Sequence, residues 1–341
     1  MQARFGLIEL SRSIASSVEY AKLAEDVGFD WVGVADSQSL VRELFVTLTA
    51  VGQATERVMI GPSVTNPLTR HPAVMASAIA SVHELSGGRA MLGIATGDSA
   101  IYNINERPRG LKGMREYILA VRELLRGRPA NYAGRDIHTK WIGAQSDNPV
   151  PIYIAAEGPK TLELAGEIAD GVICGMGLSP EVTKLTLDHL AIGAERAGRS
   201  VDDLDIWALA RVNVGRDRAA LVDEIRMELA SMAHHAFRFT LEGKLVPPEL
   251  ADAIRKVQQG YQPAHHEDLG ESPNAGLMQD PELLDYMTDR FAVVGTADQC
   301  VERIQAIRAA GFHQLLFTGF VDDRAELIKA LGQSVFPRCR N

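Results

Sequence analysis

The chain has 341 residues, 46% of them hydrophobic and 23% charged, enough to bury a full core as one large α/β domain or two smaller ones. A formal net charge of −9, with no clustered Lys and Arg, argues against a nucleic-acid or anionic-membrane surface. Cys174, Cys300 and Cys339 stand far apart in no metal-ligand spacing, which fits a reducing cytoplasm and neither a disulfide framework nor a metal site, and no apolar run reaches transmembrane length.

The first residues, MQARFGLIEL, lack the regions of a signal peptide and run into a strand over 5–10, with Glu9 near its carboxyl end. Ser17 is placed to cap a helix reaching Val27, whose Val18, Ala21 and Ala24 share one stripe. Gly28 stops that helix before a second strand, 31–35, and Asp36 follows at once. A helix over 42–54 comes next. Residues 58–100 then read as strand, helix, strand and polar loop. Residues 58–64 are apolar or β-branched, Pro72 suits the first turn of a helix to Leu85, Gly87 and Gly88 end it, and 90–95 is a second apolar run. Such βαβ units carry their chemistry at the carboxyl ends of the strands, here 63–69 and 96–100.

Residues 111–125 keep helical spacing, and an irregular excursion, 131–148, follows. The fifth strand is 151–156, after which Pro159 opens a helix. The sixth, 170–174, ends in Gly175-Met176-Gly177, and Ser179-Pro180-Glu181 starts another helix. The seventh is 204–214. The rhythm then breaks over about 221–290, a helical and loop segment that carries His234, His235, Tyr261, His265 and His266. Adjacent histidines point apart on a helix or strand, so no metal site is expected there; one of them, or Tyr261, touches substrate only if the segment folds over the barrel mouth. Thr296 caps a helix to Ala310, 314–318 is the eighth strand and 325–331 the last helix. Eight strands alternating with helices make a (β/α)₈ TIM barrel the expected fold, one domain over 1–341 with an insertion at about 221–290 after the seventh strand. A doubly wound open sheet would require the chain to divide, and no linker composition occurs.

Four stretches carry a family resemblance: GPSVTNP at 61–67, ASAIASVHELSGGRAMLGIATGD at 76–98, PIYIAAEGPKTLELAGEIADGV at 151–172, and FAVVGTADQ at 291–299. Over nearly its whole length the chain resembles the bacterial-luciferase-like superfamily of flavin and deazaflavin enzymes, and within it methylenetetrahydromethanopterin reductase and its bacterial relatives most. The resemblance implies a bulged third strand with a non-prolyl cis bond, Ser63-Val64, behind the cofactor ring, and cofactor contacts from Ser63, Val64 and Thr65. It implies that Thr96-Gly97-Asp98 runs along the cofactor with the acid toward the reacting face. It also implies that Ala156-Glu157-Gly158 and Gly175-Met176-Gly177 hold the phosphate end, where free amides at helix amino termini favour anions.

Asp98, Asp36 and Glu9 are the catalytic candidates, each with a plainer alternative: a turn cap for Asp98, a ligand of backbone amides for Asp36, a solvated rim residue for Glu9. A carboxylate among apolar walls would have a raised pKa, so Asp98 is expected to donate a proton near neutrality. One departure stands out: where deazaflavin reductases have Asp-His after the second strand, this chain has Asp36-Ser37. The resemblance implies an oxidoreductase that transfers a hydride with the deazaflavin coenzyme F420 on a small organic substrate. The alternatives are a two-component monooxygenase that takes reduced FMN from a separate flavin reductase and uses O₂, and a non-catalytic flavin-binding barrel. A homodimer is implied too, since the helices over 42–54 and 73–85 carry few charges for an exposed barrel face.

Overall fold

Short apolar runs bounded by glycine, proline and polar turns become parallel strands in the computed structural model, which describes residues 2–143, 150–266, 268 and 272–340. The strands are β1 (Arg4–Glu9), β2 (Trp31–Val34), β3 (Met59–Pro62), β4 (Leu92–Ile94), a side hairpin of β5 (Ala130–Tyr132) and β6 (Arg135–Ile137), then β7 (Ile152–Ala156), β8 (Gly171–Cys174), β9 (Asp205–Val214), β10 (Ala292–Gly295) and β11 (Gln314–Thr318). The barrel order is β3-β2-β1-β11-β9-β8-β7-β4, and bridges between Ile60 and Ala90 and between Thr65 and Ile94 close the ring from β3 to β4. With helices between successive barrel strands, this is the expected TIM barrel, and the open sheet is excluded.

Two elements were not read from the sequence. The excursion after residue 131 holds the β5–β6 hairpin, turned at Ala133 and Gly134, whose φ values of 52° and 76° are those of a two-residue hairpin turn. The end of the excursion, 144–149, lies outside the described residues. The strand β10 pairs with the upper part of β9, from Arg211 to Val214, starting at the residue where the pairing with β11 ends.

Local signals set the helix starts. Ser13, one turn earlier than the expected Ser17, caps the first helix, Ile14–Asp26: its Oγ accepts from the Ser16 amide at 3.0 Å. Ser17 is instead buried and donates to Glu9. Pro72 opens the helix Pro72–Leu85 with His71 as its cap, and Thr296 forms a reciprocal capping box with Gln299.

The lower barrel lumen is plugged by Trp31, Trp207, Tyr153, Met91 and Leu316, the two indoles meeting edge to face at 5.0 Å. Gly171 makes this possible, because a Cβ there would lie 2.2 Å from the Tyr153 ring. Each such side chain contributes roughly 2 kcal/mol by leaving water, so the lower half is fixed by packing and the upper half is left to polar groups. Between β9 and β10 the insertion lays the helix Arg226–Phe237 at the mouth, buried along most of its length, with helices Ala251–Gly260 and Pro281–Phe291 packed on it. Among the described residues no helix is long and apolar enough to cross a membrane. The three cysteines are free and buried.

Candidate active site

At the carboxyl ends of the strands, between barrel and insertion, lies a cavity of about 1230 Å³. Its apolar lining includes Ile8, Val64, Ala155, Ile173 and Leu209. Ser63, Val64 and Thr65 line it together, and the Ser63–Val64 bond is cis. The Ser63 side chain fits only because residue 33 is glycine; a Cβ there would lie 2.0 Å from the Ser63 Oγ. Thr96, Gly97 and Asp98 follow β4 along the same wall, with Gly97 at φ 106°, a conformation that favours glycine.

Asp98 precedes the short helix Ser99–Tyr102 but its carboxylate makes no cap bond. It faces the insertion. His235 Nδ1 lies 2.7 Å from one oxygen, and His234 Nε2 and Arg238 Nη1 lie 3.4 Å and 3.3 Å from the other. Arg238 also donates to Thr96 Oγ1 at 3.3 Å. Successive side chains diverge by about 100° on a helix, yet two of them converge here because the carboxylate stands between the diverging rings. Burial alone would raise the Asp98 pKa, but His235, His234 and Arg238 outweigh it and hold the group well below the usual carboxylate range. The expected proton donor is therefore an ionised anchor.

Its nearest partner is His235. Burial opposes protonation of this ring, but Asp98, helped by Glu157, raises its pKa. Its neighbours go the other way. Burial lowers His234, which stacks on Tyr261 at 4.2 Å, and lowers His266 to about 3, with His235 adding to the effect. Tyr261 and His266 hydrogen-bond to each other, and the His266 ring meets His235 edge-on at 5.0 Å. His265 turns away to pair with Asp268.

Asp36 lines the cavity, but its oxygens take Thr65 Oγ1 at 2.6 Å and the Arg70 guanidinium at 2.6 Å and 3.3 Å rather than backbone amides. Ser37 bonds Ser99 at 2.6 Å, so the loops after β2 and β4 are stitched together. Glu9 departs from expectation. It is neither a rim residue nor part of the cavity lining: it is 2% exposed, accepts from Ser17 and pairs with Arg324 at 3.0 Å, and burial pushes its carboxyl up against the pull of that arginine.

Beside this cluster the lining is rich in cations. Glu157, Gly158 and Lys160 at the start of the helix Pro159–Ile168 line the cavity with Lys244, and Arg107 and Arg109 line it from the loop before the helix Leu111–Leu125; Ala156 is buried outside the lining. Lys244 donates to the Ala236 carbonyl and sits against Gly158, and burial lowers its amine to about 8. Gly175, Met176 and Gly177 do not line the cavity. Gly175 packs on Glu157, the Met176 carbonyl accepts from Arg290 at 2.9 Å, and Gly177 packs on the same arginine, which in turn holds the Lys244 carbonyl at 2.6 Å. They support the site from behind. Arg211 and Glu228 also line the cavity, each bonded to Thr318 Oγ1, at 2.6 Å and 2.5 Å; like Arg238 and Lys244 they are not evident from the sequence. Only Arg238 had a local signal, standing one helical turn beyond His234 and His235.

The lining thus fits a flat, largely apolar ring against Val64 and an anionic tail toward Lys160 and Lys244. Residues 2–314 match the luciferase-like monooxygenase family. The chain is 32% identical over 329 residues to 5,10-methylenetetrahydromethanopterin reductase of Archaeoglobus fulgidus, covering 94% of this chain and 95% of that one. It is 30% identical to F420-dependent glucose-6-phosphate dehydrogenase of Nakamurella multipartita, covering 99% and 96%. The fold matches the coenzyme F420-dependent tetrahydromethanopterin reductase of Methanopyrus kandleri with a TM-score of 0.79 at 26% identity, over 99% of this chain and 100% of that one. With the barrel and the matched span in agreement, the chain is an enzyme that belongs to the luciferase-like monooxygenase family.

Proposed function

We propose that the protein is an F420-dependent oxidoreductase that moves a hydride between the deazaflavin and a small organic substrate. The observation that carries this reading is a cavity with an apolar wall beside the cis bond and a cationic end at Lys160 and Lys244, in a chain whose relatives use F420. When bound, the coenzyme supplies a two-electron donor whose ring carbon, standing where a flavin has nitrogen, reacts poorly with oxygen. The protein's part is binding and orientation. Val64, Thr65, Thr96 and Gly97 would hold the ring, and Glu157 and Gly158 at the helix start, with Lys160 and Lys244, would hold the phosphate. The insertion covers the mouth, and its helix Arg226–Phe237 brings charged groups to the reacting end.

A second reading, a monooxygenase supplied with reduced FMN by a separate flavin reductase, is favoured by one observation: Ser37 stands where the resemblance calls for histidine. Titrating the apoprotein with F420 and with FMN by fluorescence quenching decides. Tighter binding of F420 is expected; tighter binding of FMN, with oxygen uptake on reduction, would overturn hydride transfer. The same proposal takes residues 1–341 as one domain and the working form as a homodimer joined through the helices Leu44–Ala54 and Pro72–Leu85, where Val46 and Val74 are each 56% exposed.

A further inference from the structure

We propose that His235 is the proton-donating catalytic residue of this cavity and Asp98 its positioning residue, an inference that rests on the hydride-transfer reading. The His235 ring lines the cavity. Its Nδ1 is engaged by Asp98 at 2.7 Å, and among the described residues nothing hydrogen-bonds to its Nε2. A carboxylate on one ring nitrogen fixes the tautomer and leaves the other nitrogen as the exchangeable position. Ser37, after β2, is occupied by Ser99, whereas His235 reaches the cavity from the insertion.

Four other titratable groups of the lining are engaged or held in one charge state. Asp36 is clamped by Arg70 and Thr65, and Asp98 is held ionised. His266 lines the cavity too, but burial keeps its ring neutral. His189 lines it with Glu163 as its partner. The groups that bear on His235 are Asp98 from the loop after β4 and Glu157 from the loop after β7, which favour its charge, and His234 and Arg238 on its own helix with His266 from the turn after Pro263, which oppose it.

The step balances on a substrate whose accepting carbon is doubly bonded to oxygen or nitrogen. With reduced deazaflavin as reductant, hydride would arrive at that carbon, the ring would be left oxidised with its N–H proton released to solvent, and the π pair would move to the heteroatom. The His235 Nε2–H bond breaks, its proton goes to the heteroatom, and the ring is left neutral with Nδ1–H still on Asp98. Solvent returns the proton after product leaves. In the oxidative direction the same nitrogen accepts the proton.

The test is a histidine-ring NMR titration of the cofactor-free protein, with F420 binding followed separately by fluorescence. The resonance missing in His235→Asn should bind its proton more tightly than an ordinary imidazole, and Asp98→Asn should abolish that excess. Saturating oxidised F420 should move the same resonance and slow diethyl pyrocarbonate modification of His235 by about tenfold or more. An ordinary or weakened proton affinity, or a ring indifferent to F420 that demonstrably binds, overturns the proposal. Failure of F420 to bind overturns the coenzyme reading alone, because the titration in the free protein still decides for or against a charged His235. Should Asp98→Asn not fold, Asp98→Glu replaces it, with the wild-type titration as the deciding measurement.

Discussion

Arg70 lays its guanidinium across Asp36, with Nη1 2.6 Å from Oδ2, while its Nη2 reaches Glu43 at 2.6 Å. The Asp36 side chain is only 1% exposed, so removing the arginine strands a buried charge. Arg70→Met should cost about 3 kcal/mol in a denaturant titration, and Arg70→Met with Asp36→Asn less than the sum of the two single changes. Additive losses would show that the two side chains act independently.

Asp98→Asn keeps the shape of the side chain and removes the charge that holds His235. Turnover should fall roughly 10²-fold or more, while cofactor affinity changes far less. The alkaline limb of the kcat profile should move to lower pH, because His235 then gives up its proton sooner. A loss of turnover with an unmoved limb would separate Asp98 from the imidazole.

Stability should depend on pH with two opposing contributions. His235 is raised in the fold, so its contribution is fully present below the ordinary imidazole value of 6.5 and is lost as pH rises through the folded value. His266 is lowered to about 3, so its contribution is present above 6.5 and is lost as pH falls from there toward 3. Denaturation midpoints measured across that range should flatten on the alkaline side in His235→Asn and on the acid side in His266→Gln.

Lys244 titrates near 8 because it is buried, so the cationic end loses a charge as pH rises through that value. Affinity for F420 or FMN should weaken over the same interval. Lys244→Met should weaken binding by about tenfold, or 1.4 kcal/mol, and remove the pH dependence. Isothermal titration at two pH values checks both.

The proposed dimer is checked by light scattering. Val74→Glu places a charge on a half-exposed apolar position of Pro72–Leu85 and should shift the protein toward monomer without altering the barrel's circular dichroism. An unchanged mass would locate the interface elsewhere.

The barrel was legible because its strands are continuous apolar runs and its helices carry caps and glycine stops, signals that act within a few residues. The site was legible only where it lies on barrel loops: Ser63, Val64, Thr65, Thr96, Gly97, Asp98, Glu157 and Gly158 all line the cavity. Glu9 was misjudged because Arg324, its partner, comes from the other end of the chain. The lowered Asp98 pKa was invisible for the same reason, since burial is suggested by local sequence but the compensating His235 and Arg238 arrive from an insertion with no strand rhythm. Gly175 to Gly177 reads as a phosphate loop, and only Arg290, from a distant helix, sets it behind the cavity lining.

The seam between β3 and β4 has no room for side chains. A Cβ on Gly61 would lie 2.2 Å from the Met91 carbonyl, and one on Gly93 2.2 Å from the Pro62 carbonyl. The wall behind Val64 is therefore built of main chain, which substitution cannot reshape without parting the strands. Any retuning of this cavity for a new molecule, by selection or by design, has to be written on the facing side, in the inserted helix and the loops after β4 and β7.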